Sequence, residues 1–274
     1  MTIEPSDIVS DGYVRLYRQR TDKPFLADNI LTVETEFHSL QRLHAAFNSV
    51  QKKESELSKE YSFAWNPKFG YITARPDICG TGLEASALLH LEGLHLIGDL
   101  EPVLNALSAL RMNALGYCAE GLKNAAHIFR ITNASMLGIE ERDIIARTGR
   151  VLLDLVRQET NARIRLIQEM PRVFEDAISR SLAILKSCRL LSEWEFLDIM
   201  SPLRIAAELE FLDNFTREEA LSLTRARLNL PQTSTPYTIE EQREKDRYDA
   251  KLADKVNRRF KSVRLNAYGK EWLS

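Results

Sequence analysis

Residues 69–91, FGYITARPDICGTGLEASALLHL, are the stretch that decides the fold of the N-terminal half. From Ala85 to Leu91 polar and apolar residues partly alternate, which is typical of a β-strand, and a proline and glycines interrupt the chain before it. Similar short runs of β-type residues occupy positions 69–73, 110–117 and 127–131. Their spacing predicts a mostly antiparallel sheet.

Helical periodicity flanks this sheet and then dominates the second half of the chain. Apolar residues between Glu36 and Lys59 recur at spacings of three and four, which predicts one amphipathic helix, and another is expected at 99–110. From about Gly138 the helical spacing continues until Pro171 ends or kinks it. Further helices are predicted at residues 177–190, 193–200, 203–212, 216–228 and 239–264, with Thr216 as the N-cap of the fourth.

Together these patterns predict an α+β fold class, in which a mostly antiparallel sheet flanked by helices precedes an all-helical C-terminal domain. We place the sheet domain at residues 1–140, the helical domain at 141–230, and a linker with a charged helical tail at 231–274. The linker is assigned because residues 231–236, PQTSTP, have the composition of a connecting segment.

The overall composition bounds the environment and the classes of partner. With 44% hydrophobic and 28% charged residues and a formal net charge of -2, the chain is an ordinary globular protein without a global attraction for nucleic acid or anionic lipid. The three cysteines are widely spaced, which favours a reducing compartment. The first residues resemble no export signal, and no apolar run is long enough to cross a membrane. We therefore expect a cytoplasmic protein that binds neither membrane nor nucleic acid.

Several stretches resemble the ATP:guanidino phosphotransferases. Residues 69–91 are similar to the family segment F-G-Y/F-L/I-T-x-C-P-S/T-N-x-G-T-x-x-R-A-S, and residues 12–18, GYVRLYR, to S-R/T-V-R-L-x-R. Residues 116–133 and 136–140 resemble two further family motifs in the expected order, and residues 179–192 resemble the helical C-terminal domain of the bacterial protein-arginine kinases. This resemblance implies a shortened guanidino-kinase catalytic domain followed by that helical domain.

The resemblance also identifies which charged residues would carry phosphoryl transfer. Such a site must align the substrates and neutralise phosphate charge, mainly with arginines and a metal ion. Arg15 and Arg18 match arginines of the opening motif and are candidate nucleotide ligands. Three other arginines of the family pattern are replaced, by Tyr13, Glu84 and Leu115. Because Glu84 reverses the sign of the charge, it turns attraction for phosphate into repulsion.

The remaining motif positions depart from the pattern as well. The reactive cysteine of the family corresponds to Arg75, which would repel a guanidinium substrate but is a candidate new phosphate ligand. Glu120 matches a family carboxylate that holds the guanidino group and accepts its proton, although Leu122 and Lys123 replace its neighbours. The segment from Gln19 to Phe37 is much shorter than its family counterpart, and Glu34 and Glu36 are only nominal substitutes for a second carboxylate.

Three hypotheses follow from these departures. The first is a catalytically degenerate protein that works by binding, as a regulatory subunit or scaffold for an active protein-arginine kinase, its activator or the Clp protease system. The second is a divergent protein-arginine kinase with Mg-ATP as cofactor, Glu120 as base, and Arg15, Arg18 and Arg75 on phosphate. The third is a phosphoarginine-binding module using Arg225 and Arg227. A homodimer stays open, the first hypothesis needs no cofactor, and no metal site is expected because His90 and His95 lack further ligands at suitable spacing.

Overall fold

The computed structural model describes residues 8–116, 125–134, 136–228 and 238–273. Its main element is a five-stranded sheet of strand order β2-β1-β5-β7-β6, in which every neighbouring pair is antiparallel. Two further two-stranded ladders pair β3 with β4 and β8 with β9. The strands are β1 Val9–Gln19, β2 Ile30–Phe37, β3 Trp65–Asn66, β4 Gly70–Tyr71, β5 Leu83–His90, β6 Met112–Gly116, β7 Ile128–Asn133, β8 Leu212–Asp213 and β9 Arg264–Leu265.

Helices flank the sheet and make up the C-terminal part. They are α1 Leu43–Leu57, α2 Glu92–Leu96, α3 Leu100–Ala109, α4 Glu141–Glu169, α5 Pro171–Ser187, α6 Glu193–Glu208, α7 Arg217–Leu228, α8 Ile239–Phe260 and α9 Ala267–Leu273. The predicted α+β fold class is thereby confirmed: an antiparallel sheet with flanking helices precedes a helical part. No helix in the described ranges is long and apolar enough to cross a membrane.

Strand β2 corrects the predicted helix from Glu36. Residues 30–37 pair with β1, and the helix begins only at Leu43. The periodic apolar residue Phe37 belongs to the strand, where it lies opposite Gly12. A Cβ atom at Gly12 would lie 2.3 Å from Cζ of Phe37, so the glycine makes room for this aromatic ring. Packing across the strands therefore overrides the helical spacing at this point.

Helix α6 corrects the second boundary, because the predicted helices at 193–200 and 203–212 form one continuous helix with Pro202 inside. The Ser192 side chain caps its start by accepting from the Glu195 backbone N–H. Proline removes one backbone hydrogen bond, but most of the helix around Pro202 is buried, and this packing keeps the helix intact. The helix ends before Glu210, whose positive φ of 58° turns the chain towards β8.

Two large hydrophobic clusters share the long helix α4. The first joins one face of the sheet to α1, α3 and α4 as far as Ala162, and the second begins at Leu166 and extends through α5 to α9. At 29 residues, α4 is about 44 Å long and runs continuously from one cluster into the other. The domain boundary at residues 140 and 141, like the one at 230 and 231, stays a prediction.

Alternation along the strands gives the sheet two different faces. On β1, Val14 and Leu16 are buried beneath the helices, and we call this the inner face. Tyr13, Arg15 and Tyr17 lie on the other side and are partly exposed, and we call this the outer face. The outer face carries the charged residues that the sequence analysis singled out.

Candidate functional site

Arg15 lies at the centre of the open part of the outer face, between two carboxylates. In the strand register it is opposite Glu34 on β2 and opposite Glu84 on β5. Its Nε atom pairs with Oε2 of Glu34, and its Nη1 atom is 3.9 Å from Oε1 of Glu84. Burial lowers the pKa of Arg15, but the hydrogen bond with Glu34 and neighbouring negative groups outweigh this and raise it. The guanidinium is thus held charged by the protein's own carboxylates.

Two phenols complete the environment of Glu84. The hydroxyl of Tyr17 donates to Oε2 of Glu84 over 3.2 Å, and that of Tyr13 donates to Oε1. Burial, with the charge of Glu84 second, raises the pKa of Tyr17 to about 12. Burial and the hydrogen bond to Glu84 also raise the pKa of Tyr13. At the position where the family pattern has an arginine, Glu84 therefore accepts from two phenols and lies beside Arg15.

Arg130 on β7 is a second cation on this face, which the sequence analysis missed. Its guanidinium carbon lies 5.1 Å from the centre of the Tyr13 ring, and that of Arg15 lies 3.7 Å from the same centre. Glu36 is opposite Tyr13 in the strand register. Among the described charged side chains of the open face, two arginines (15 and 130) meet three glutamates (34, 36 and 84), which gives a formal charge of 2 − 3 = −1.

Arg18 lies on the inner face, on the opposite side of the sheet from Arg15. It is 1% exposed, and its Nε atom donates to Oε1 of Glu54 over 3.0 Å while Nη2 lies 3.4 Å from Oε1 of Glu141. Its guanidinium stacks on the Tyr71 ring at 3.6 Å. Arg15 and Arg18 are three positions apart on the strand, so alternation places their side chains on opposite faces. Arg18 ties the sheet to α1 and α4.

Arg75 and Glu120 complete the candidates in this half. The Arg75 side chain is half exposed, and its Nε atom donates to Oδ1 of Asp77 over 3.3 Å, an interaction that raises the pKa of Arg75. The Thr73 backbone N–H donates to Sγ of Cys79 over 3.4 Å, so that thiol lies in the same turn as Arg75. Glu120 lies outside the described residues.

Arg225 and Arg227, the residues predicted to bind phosphoarginine, lie two positions apart on α7 and project in different directions. The Arg227 side chain is 10% exposed, lies 4.0 Å from the centre of the Phe196 ring, and pairs with Glu193 at 2.8 Å. Arg225 is exposed and interacts elsewhere. The structure brings Arg227 against α6, and phosphoarginine binding stays a prediction.

The far end of the outer face is covered by the helical part. Leu88 and Ile128 of the sheet pack against Leu197 of α6. Beside them lies a network of charged and polar side chains between β5, α2, α4 and α6, which we call the buried joint. It consists of His90, Glu92, His127, Glu159, Arg163, Ser201 and Glu208.

Along the joint, each hydrogen bond can be given one donor and one acceptor. Arg163 Nη2 donates to Nδ1 of His90 over 3.1 Å, His90 Nε2 donates to Ser201 Oγ over 2.7 Å, and Ser201 Oγ donates to Glu92 Oε2 over 2.6 Å. This order needs a neutral His90, consistent with its pKa, which burial and two nearby arginines lower far below 6.5. His127 Nδ1 donates to the same Glu92 oxygen over 2.5 Å. His90, at which no metal site was expected, is thus part of this hydrogen-bonded network.

Arg163 is the cationic centre of the joint. It has no exposed surface, and it pairs with Glu159 at 2.6 Å and with Glu208 at 2.5 Å. Glu159 also accepts the backbone N–H groups of Gly93 and Leu94 over 2.8 and 2.9 Å. In the described part of the chain, no group of three or more histidine, cysteine or acidic side chains is placed to hold a metal ion.

Two family models match the chain in succession. The model described as ATP:guanido phosphotransferase, C-terminal catalytic domain, matches residues 32–162, and the model described as Protein-arginine kinase McsB C-terminal domain matches residues 171–266. The junction between the two matches falls in α4 and at the start of α5, where the two large hydrophobic clusters meet.

Curated relatives agree with these two matches. The protein-arginine kinase of Clostridium acetobutylicum is 30% identical over 66% of this chain and 53% of its own length, and that of Clostridium novyi is 32% identical over 74% and 62%. That of Moorella thermoacetica is 35% identical over 62% of this chain and 49% of its own length. The chain therefore spans about half to three fifths of the length of these relatives.

Solved structures of guanidino kinases are also similar at low identity. The duplicated taurocyamine kinase from Schistosoma mansoni with bound transition-state analogue components aligns with a TM-score of 0.46 at 12% identity, over 69% of this chain and 40% of that one. Lombricine kinase aligns with a TM-score of 0.43 at 14% identity, over 57% and 67%.

Proposed function

The chain belongs to the ATP:guanido phosphotransferase family, with the bacterial protein-arginine kinases as similar relatives, and we propose that it is a catalytically degenerate member that acts by binding. In this proposal it serves as a regulatory subunit or scaffold for an active protein-arginine kinase, its activator or the Clp protease system. The observation that carries the proposal is the neutralised outer face, where Glu34 and Glu84 flank Arg15.

A phosphate cage needs uncompensated positive charge, and the described residues of this face supply none. Two unit charges about 4 Å apart interact by about 4 kcal/mol at an effective dielectric constant near 20, before screening by salt. An incoming nucleotide phosphate would gain this attraction from Arg15 but would meet repulsion of similar size from Glu34 and Glu84. The residues present therefore do not fit a Mg-nucleotide, and we derive no phosphoryl-transfer step for this face.

The other candidate ligands do not compensate. Arg18 is buried on the inner face with Glu54 and Glu141, and Arg75 is paired with Asp77. For the divergent-kinase hypothesis, Arg75, which already lies near enough to Tyr17 and Glu84 for their charges to raise its pKa, would have to exchange Asp77 for a phosphate. That hypothesis, with Mg-ATP as cofactor and Glu120 as base, stays a prediction.

Retention of the helical part supports a binding role. The buried joint connects the sheet to α6 through paired, hydrogen-bonded groups. Buried charges of this kind are costly when they lack a partner. We infer that the chain keeps the surface of the corresponding part of a protein-arginine kinase, whereas its outer face does not catalyse phosphoryl transfer. Such a surface suits association with an active relative in the cytoplasm.

A phosphotransfer assay with labelled ATP and an arginine-rich protein substrate tests the proposal. The chain alone should transfer no label, whereas adding it to an active bacterial protein-arginine kinase should change the rate or the substrate range of that enzyme. The proposal fails if the chain alone forms acid-labile phosphoarginine and the Arg15→Gln variant does not. A Glu101→Gln variant, changed at an exposed residue of α3, is the matched control.

A further inference from the structure

A basic groove lies between the turn from α3 to β6 and one side of α4. Its volume is about 410 Å³, which is within the usual range of small-ligand sites. The turn contributes Ala109, Leu110 and Arg111, and the helix contributes Arg147, Arg150, Val151 and Asp154. Because α4 packs on the inner face, the groove is on the opposite side of the sheet from Arg15.

Helical spacing explains why the α4 side chains point into one groove. Positions 147, 150, 151 and 154 follow the three-and-four spacing that places residues on one side of a helix. Arg147 and Asp154 are separated by about 10 Å along the axis, at a rise of about 1.5 Å per residue. The two arginines therefore form one end of the row, and the aspartate lies at the other.

The charge of the groove is the reverse of that on the outer face. Three arginines and one aspartate give 3 − 1 = +2. In the part of the chain that the structure describes, neither Arg111 nor Arg147 has an ion pair, and the Nε atom of Arg150 donates to the Ala146 carbonyl over 3.3 Å. Asp154 is itself 3.4 Å from Arg157. The positive charge of the groove is therefore uncompensated.

The backbone at Arg111 is a second, independent observation. Its φ angle is 56°, in the left-handed region where glycine is the ordinary residue. The Ala134 N–H donates to its carbonyl over 2.9 Å and its own N–H donates to Ser108 O over 3.0 Å, so the conformation is held from both sides. Glycine is the usual residue at this position after a helix end, and the arginine that occupies it here lines the groove.

We propose that this groove binds a phosphoryl group through Arg111, Arg147 and Arg150. A phosphoryl group carries close to two negative charges, matching the groove, and its three terminal oxygens suit guanidinium groups arriving from two directions. A single carboxylate offers one charge and two oxygens, which one arginine satisfies. The apolar walls formed by Leu110 and Val151 exclude water from one side of the bound group.

Isothermal calorimetry at low salt tests the site with inorganic pyrophosphate as the first probe. Saturable binding is expected, and both Arg111→Gly and Arg147→Gln should weaken it at least tenfold. Arg111→Gly relieves the backbone while removing the side chain, so its fold should survive. Arg142→Gln, changed at an exposed residue of the same helix outside the groove, should bind like the parent chain.

Two further probes identify the source of the phosphoryl group. A phosphoserine peptide that binds tenfold more tightly than pyrophosphate indicates a protein-borne phosphoryl group, and the reverse order indicates a free phosphate compound; either supports the site. A glutamate-rich peptide that binds as tightly as the phosphopeptide would overturn the phosphoryl assignment. Absence of pyrophosphate binding, or binding that the two groove variants leave unchanged, would overturn the site itself.

Discussion

The two ends of strand β5 place polar and charged side chains in opposite environments, one partly exposed and one buried. Glu84 lies on the open part of the outer face and His90 in the buried joint, about 20 Å further along the same side of the strand. At the open end, ion pairs are partly exposed, and such pairs contribute little to stability. In the joint, Arg163 and its partners Glu159 and Glu208 are buried, and breaking such a pair by removing one partner is costly. The comparison indicates that substitutions at the open end cost little stability, whereas substitutions in the joint cost much.

Arg163→Met should produce the largest effect. The variant leaves Glu159 buried without its cation and leaves Glu208 with Arg204 alone, a loss that typically costs about 3–5 kcal/mol in the free energy of unfolding. Urea denaturation measures this difference. Arg165→Met is the matched control on the same helix, since Arg165 pairs with Asp99 at the surface, and it should leave the free energy of unfolding nearly unchanged. Equal costs for the two variants would remove the distinction between joint and surface.

Ser201→Ala sharpens the comparison by removing a single hydroxyl from the joint. Glu92 then loses one donor and His90 loses its acceptor, which should cost about 1–3 kcal/mol. Ser108→Ala removes an exposed hydroxyl from α3 and should change the free energy of unfolding by less than about 0.5 kcal/mol. A neutral Ser201→Ala would show that the order of donors through the joint is not needed.

Titratable groups of the joint should also make the free energy of unfolding depend on pH. Burial lowers the pKa of His127, but the hydrogen bond to Glu92 outweighs it and raises the pKa above 6.5. The stabilisation is therefore complete below about pH 6.5 and is lost as pH rises through the folded-state pKa. His90, whose pKa is lowered chiefly by burial, has the opposite sign and destabilises the fold as pH falls below 6.5.

Urea denaturation between pH 6 and 9 separates these contributions. The parent chain should lose stability above pH 6.5, and His127→Gln should reduce that loss. His38→Gln, at a mostly exposed histidine beside Asp11, is the control and should keep the slope of the parent. An unchanged slope in His127→Gln would contradict the assigned role of Glu92.

The smallest effect is expected at the open end. Glu84→Gln should change the free energy of unfolding by less than about 1 kcal/mol, because the pair with Arg15 is partly exposed. The same change should lower the pKa of Tyr17 from about 12, since the Glu84 charge contributes to raising it. Titration of the phenol absorbance at 295 nm in both chains measures the shift. A Tyr17 pKa that does not fall would mean that burial alone raises it.

Local pattern was enough for most of the fold but not for the pairing at Arg15. The strands at 83–90, 112–116 and 128–133 and most helices carry clear periodicity, and the motif residues gave the family. The helical spacing places a helix from Glu36 and predicts no strand at residues 30–37, so it does not bring Glu34 beside Arg15. Strict alternation along β1 separates Arg15 from Arg18, and it is the sequence signal that predicts their positions on opposite faces.

The buried joint had no local signal at all. His90 and Ser201 are 111 residues apart in the sequence, and Arg163 joins a third element to them. Isolated histidine, serine and glutamate residues on helices and strands are usually unremarkable, and only the packing of α6 onto the outer face makes them a network. Arg130 was missed for a related reason, because it occupies an unspecified position in its motif and gains meaning only beside Tyr13.

Calorimetric titration with Mg-ADP and Mg-ATP up to millimolar concentration tests the central claim most directly. The Arg147→Gln chain is used beside the parent, so that any heat from the basic groove is recognised by its loss. We predict that adding Arg15→Gln to the Arg147→Gln chain removes no saturable binding, because the outer face is neutralised by its own carboxylates. Saturable binding that persists in Arg147→Gln and disappears when Arg15→Gln is added would contradict the account and establish a functional nucleotide site.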